Sequence, residues 1–201
     1  MTQADLISPA RFLARLPQHL PRLGRMLRGL YYAGIRNRDK TLSLAWALER
    51  ATRLYPDNPA LMDEQRRLSY RQFNAWANRL AWALKADGVG HGAVVAVLVE
   101  NRLELLAVLA ALTKLGAIGA LLNTTQRGKV LSHSLNLVKP RFFVIGEELV
   151  DAFNEIRHQV PSAEHPCYWL ADRDTLQDSG HTPNGWVNLS LRQASQSEQN
   201  L

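Results

Sequence analysis

The chain has 201 residues, a formal net charge of +6 and a single cysteine, Cys167. An apolar content of 46% allows one or two domains with a real core and excludes wholesale disorder. One thiol excludes an intrachain disulfide framework and suits a reducing compartment.

The charge is uneven. Before Thr41 stand Arg11, Arg15, Arg22, Arg25, Arg28, Arg36, Arg38 and Lys40 against Asp5 and Asp39. Pro9, Pro17 and Pro21 divide residues 1–40 into short predicted helices. Arg22, Arg25 and Arg28 lie about one turn apart, with Leu23, Met26, Leu27 and Leu30 on neighbouring faces. That pattern suits a helix in a membrane interface, with cations at anionic headgroups and leucines in the acyl boundary. It equally suits an arm packed on its own body with solvated arginines. No recognised motif accompanies the charge, so nucleic-acid binding is not expected. The N-terminus lacks the compact apolar run of a secretory signal. The expected setting is the cytoplasm, with peripheral association at the inner face of the membrane.

Residues 41–54 read as an amphipathic helix with Leu44, Leu48, Ala51 and Leu54 inward. Two short strands, 60–62 and 67–68, flank a turn at Asp63 to Arg66. Ser69 and Gln72 make a capping-box pattern. The helix they open carries Phe73, Trp76, Ala77, Leu80, Ala81 and Leu84 at helical spacing and closes at Gly88. Gly88-Val89-Gly90-His91-Gly92 follows a helix and opens a strand, the reverse of a dinucleotide fingerprint. These glycines are read as a turn.

The stretch from Val89 to Arg127 organises the chain. Ala93 to Val99 is an apolar run of strand length. Leu103, Leu106, Ala107, Ala110 and Ala111 then recur at helical spacing, and Gly116 sits where a left-handed cap wants glycine. A second apolar run covers 117–122. Strand, helix and strand in so few residues predict a βαβ unit in a mostly parallel sheet with helices on both faces. The apolar stretch 103–122 contains Glu104, Lys114 and Gly116, so a buried helix and strand is preferred to a membrane span.

Asn123 to Gly128 is a polar loop at the carboxyl end of a strand, where open α/β sheets gather ligands. Asn123, Thr124 and Arg127 are the candidate site-lining residues. The competing assignment is a helix-start loop with Asn123 or Thr125 as cap. Next come a helix to about Leu137 with Val130, Leu131, Ser134, Leu135 and Val138 inward, a strand at 141–145, a helix at 147–160 and a strand at 167–170. A polar loop at 172–185, a weak element at 186–191 and a frayed polar tail complete the chain. His133 lies between serines on a helix, where neighbours point apart, so no nucleophile–base pair is expected.

Four segments carry a resemblance: Y-P-D-N-P-A-L (55–61), L-S-Y-R-Q-F-N-A-W-A-N-R-L-A (68–81), E-N-R-L-E (100–104) and K-L-G-A-I-G-A-L-L-N-T (114–124). In order and spacing, residues from about 54 to 159 resemble the opening of the adenylate-forming (AMP-binding) enzymes. They are most similar to long-chain and very-long-chain acyl-CoA synthetases, fatty-acid transport proteins included. The resemblance implies ATP-dependent activation of a fatty acid to its acyl-adenylate, then transfer to coenzyme A. It implies ATP, magnesium and coenzyme A for the full-length enzyme. The family loop reads N-T-N-x-R, and Thr125 departs from it at the second Asn.

The family grips the ATP phosphates with a Ser/Thr/Gly-rich loop ending in Lys. The chain has no such run, no GxxxxGK[ST], no zinc-spaced Cys/His cluster and no G-x-S-x-G. No catalytic, cofactor-binding or metal residue is therefore assigned. The expectation is a basic arm (1–40), the α/β N-terminal subdomain of an AMP-binding enzyme (41–192) and a polar tail (193–201). Such a truncated, split-gene or N-terminal piece would be inactive alone. The alternative is a non-catalytic membrane-interface or scaffolding protein that reuses the α/β module.

Overall fold

The middle strand of the sheet, Phe142–Gly146, is buried at every position. The structure, a computed structural model, describes residues 43–164, 166–172 and 182–201, with positions 23, 24, 27 and 29. The chain divides into two units, Met1–Thr41 and Leu42–Leu201, and the second carries the sheet. Arg22, Arg25 and Arg28, and most of the predicted loop at 172–185, lie outside the described residues.

Helix α1 (Leu44–Leu54) is capped by Ser43, whose side chain accepts from the Trp46 N–H. Strands β1 (Pro59–Met62) and β2 (Arg67–Ser69) pair antiparallel around the expected turn. There Asp63 Oδ1 accepts from the backbone of Gln65 and Arg66. Helix α2 (Tyr70–Ala86) starts with the predicted capping box, both halves formed. Then come β3 (Val94–Leu98), α3 (Leu103–Lys114), β4 (Ile118–Leu121), α4 (Gly128–Val138) and β5 (Phe142–Gly146). A short 3₁₀ turn leads into α5 (Val150–Ile156), followed by β6 (Cys167–Leu170), β7 (Val187–Asn188) and α6 (Leu189–Arg192).

The fold is α/β as expected. Five strands run parallel in the order β4-β3-β5-β6-β7. Both faces are covered, which is why the strands read as continuous apolar runs rather than alternations. Val95, Val97, Val144, Tyr168 and Leu170 pack on one face with α1, α2 and α3. Ala96, Leu98, Phe143, Ile145 and Trp169 pack on the other with α4 and α5. Each fully buried Leu, Val or Phe contributes about 1.5–3 kcal/mol of transfer free energy.

Gly116 holds φ +65 behind α3. Its N–H donates to the Thr113 carbonyl and that of Ala117 to Leu112, which serves two carbonyls the helix leaves unpaired.

Several predicted faces shift. Leu44 and Leu54 are exposed; α1 buries Leu48, as expected, together with Ala45. Val130 is exposed, while Leu131, Ser132 and Leu135 face the core. The single helix expected over 147–160 is three pieces, ending at Val160. Pro161 drives Val160 to an extended backbone and stops it. The tail is not frayed: its carbonyls accept hydrogen bonds from α2.

Candidate active-site crevice

The chain winds from β3 to β4 in one direction, then back past β3 to β5 in the other. The two connections leave on opposite faces, because parallel crossovers keep one hand. Where the direction reverses, the carboxyl ends of β3 and β5 open a crevice, the usual ligand position of such sheets.

Three strand ends meet there through one side chain, Arg102, which lies just past β3. Its guanidinium donates to the carbonyls of Leu170 (2.9 Å) and Ala171 (3.1 Å), at the end of β6. It also donates to Glu148 Oε2 (3.2 Å), beyond β5. Glu148 Oε1 in turn accepts from the Glu100 N–H (2.8 Å). That carboxylate folds over Gly146, where any Cβ would overlap it. A side chain at 146 would have to push that carboxylate, the movable end of Glu148, off its hydrogen bonds.

The network continues toward the hairpin. Glu104, on the first turn of α3, is buried and accepts from Arg66 at 2.5 and 3.3 Å. Arg102 lies 3.6 Å from the same carboxylate. Asp63 closes the far side of Arg66 at 2.8 Å, and Asp172 reaches Arg102 at 3.8 Å. The hydrogen bond to Glu104 holds the Arg66 guanidinium above its ordinary value; burial opposes this and Asp63 adds to it. Burying these charges is tolerable only because they are paired.

A cleft of about 460 Å³ opens beside this network, between the hairpin, α2 and the end of the chain. Arg66 and Glu104 form its inner end, Leu68, Trp76 and Ala171 its apolar wall, and Arg79 with Glu198 its outer end.

The predicted loop stands apart. Asn123, Thr124 and Arg127 sit beyond the edge strand β4, with Asn123 and Arg127 exposed. Asn123 Oδ1 accepts from the Thr125 N–H and hydroxyl, so it closes its own turn. Neither Asn123 nor Thr125 caps α4. Arg127 occupies the cap position, and its guanidinium holds the carbonyls of Thr124 and Gln126. These three residues and the cleft are lined by different parts of the chain.

Sequence reasoning passed over Arg66, Arg79, Arg102, Glu104 and Glu148 as site residues. A signal existed for three of them: Arg102, Glu104 and Glu148 come directly after apolar strands, where charge interrupts a buried run. Nothing local marks Arg66 or Arg79. Leu23 and Leu27, the two described members of the predicted interfacial set, are helical and exposed.

The groups that the family resemblance implies meet an unsuitable charge balance in the crevice. Two guanidiniums, Arg66 and Arg102, face four carboxylates, Asp63, Glu104, Glu148 and Asp172. That balance repels a triphosphate or the phosphates of coenzyme A. Among the described residues no group of three His, Cys, Asp or Glu is placed to share a metal. ATP, magnesium and coenzyme A therefore do not fit these side chains by themselves.

A parallel sheet wound both ways, with its polar network in the reversal crevice, defines a doubly wound α/β protein. The chain belongs to the AMP-binding enzymes, whose family model matches residues 48–197. It is 33% identical over 141 residues to a medium/long-chain-fatty-acid–CoA ligase of Mycobacterium tuberculosis, FadD6, covering 70% of this chain and 24% of that one. It is 31% identical over 119 residues to long-chain fatty acid transport protein 6 of mouse, covering 59% and 19%. The solved N-terminal domain of FACL13 from Mycobacterium tuberculosis superposes with a TM-score of 0.65 at 25% identity, covering 78% and 36%. The chain thus spans about a quarter of the first of these relatives.

Proposed function

We propose that this chain forms the opening part of a long-chain fatty-acid CoA ligase, and that these 201 residues do not catalyse the reaction on their own. The observation that carries this reading is the family match over 48–197 joined to a crevice whose cations are already neutralised. In the complete reaction a fatty acid is activated by ATP, with magnesium, and transferred to coenzyme A. The α/β part, 41–192, supplies a rigid sheet edge for that work, and the phosphate-gripping groups come from other sequence. The test is pyrophosphate release by the purified chain with ATP, palmitate, magnesium and coenzyme A. The expected result is no turnover above background, and appreciable turnover overturns the inactivity claim. The nucleotide sequence downstream of the codon for Leu201 tests the parentage. A reading frame encoding a T-S-G-T-T-G-x-P-K run supports it.

A second reading concerns residues 1–40, which we take as a separate basic arm that binds an anionic membrane surface at the inner face. It is supported by the exposed helical leucines Leu23 (39%) and Leu27 (56%), one turn apart. Among the described residues no helix is long and apolar enough to cross a membrane. Replacing Arg22, Arg25 and Arg28 with Gln is expected to abolish salt-sensitive sedimentation with phosphatidylserine vesicles. Equal binding by the variant and the natural chain excludes the arm. A scaffolding role without catalysis predicts vesicle binding but no ligase frame downstream.

A further inference from the structure

The last residues of the chain lie along α2 and meet a row of donors there. Asn78 Nδ2 donates to the Glu198 carbonyl (2.6 Å) and Trp82 Nε1 to that of Gln199 (3.0 Å). Asn200 Oδ1 accepts from Asn74 (3.1 Å), Asn78 (3.0 Å) and Lys114 (3.3 Å). Asn74, Asn78 and Trp82 are spaced by one helical turn, so they form one stripe on α2. Asn78 is wholly buried and Lys114's side chain nearly so, at 1%. Buried donors of this kind need acceptors, and residues 198–200 provide them. The segment is a strap held at several points.

At its start the strap also puts the Glu198 carboxylate on Arg79, at the outer end of the cleft. The other cleft arginines have carboxylates of their own. Arg66 is held by Glu104 and Asp63, and Arg71 by Asp57. Arg79 meets its acid on the strap. Behind it the wall is apolar: Leu68, Trp76 and Ala171. An arginine in front of an aromatic and aliphatic wall matches an anion carried on an apolar body.

We propose that this cleft is a binding site for a small amphipathic anion, a carboxylate on an apolar or aromatic body, and that Glu198 is its internal competitor. The strap's own carboxylate marks the anion position. The site adjoins the acidic network, with which it shares Arg66 and Glu104, but the proposed anion position at Arg79 does not rest on the ligase reading.

Glu198 is largely exposed, at 63%, so its replacement leaves the fold intact, and the strap keeps its anchors at Asn78, Trp82 and Asn200. The experiment measures binding of naphthoate, and of neutral naphthamide, by fluorescence. The proteins are the natural chain, Glu198→Ala and the double variant Glu198→Ala/Arg79→Gln. Naphthoate is expected to bind Glu198→Ala at least about threefold more tightly than the natural chain, the scale of a partly exposed ion pair. The gain is expected to vanish in the double variant and to be absent with naphthamide. The proposal is overturned if naphthoate binds none of the three, if Glu198→Ala shows no gain, if the gain survives loss of Arg79, or if naphthamide gains equally.

Discussion

The β3–α3–β4 unit and the strap at 198–200 are both held against the same protein body, by opposite means. In the first, the pattern is apolar and local: Val95, Val97, Ala107, Val108 and Ala111 are all buried, within one stretch of sequence. In the second, the sequence is polar and the attachment is a set of hydrogen bonds to side chains about 120 positions away. Apolar burial needs only a face, and many partners satisfy it. Polar attachment needs matched groups at hydrogen-bond distance, and its net stabilisation is small because water competes for both partners.

Four substitutions press on that difference. Phe143→Ala removes a wholly buried ring that packs on Phe153 in the apolar layer. It is expected to cost about 4 kcal/mol in urea unfolding, a large share of a typical domain's stability. A cost near zero would mean that the α4–α5 face of the sheet is not the packed layer described. Arg102→Met tests the polar network instead. It leaves Glu104 and Glu148 short of a cation and two strand-end carbonyls short of a donor. It is expected to cost about 3 kcal/mol, less than the ring but more than an exposed ion pair. If Arg102→Met and Glu104→Gln each destabilise while their combination costs no more than the worse of the two, the residues act as one unit. Asn200→Ala takes one acceptor from the strap and is expected to cost about 1 kcal/mol. Its clearer readout is faster hydrogen exchange of the Trp82 indole N–H, whose acceptor Gln199 is next in line. Unchanged exchange would show that the strap does not hold as described.

Much of the fold was legible. The capping box at Ser69, the glycine stop at Gly116 and the apolar runs of β3, β5 and β6 all depend on neighbours in sequence, and each stands where the pattern placed it. The errors have a common cause. Leu44, Leu54 and Val130 satisfy the helical period, but what decides their burial is which flank of the helix meets the neighbouring elements, α2 and α3 in the case of α1. Glu104 and Lys114 argued against a lipid-facing helix, and both turn out to be buried against partners brought by the hairpin and by α1. The loop at Asn123 sits at a strand's carboxyl end, as expected of a site, but β4 is an edge strand and the winding reverses between β3 and β5. Position in a strand–loop unit was readable; position in the sheet was not.

By itself, then, the amino-acid order determined the elements, their parallel arrangement and the family, because propensity, capping and apolar period act over a few residues. Only the tertiary structure decided that Arg102 ties three strand ends together, that Arg66 neutralises Glu104, and that Glu198 returns to Arg79. Those pairings join groups far apart along the chain. A charge carries no local mark of the partner that folding will bring to it.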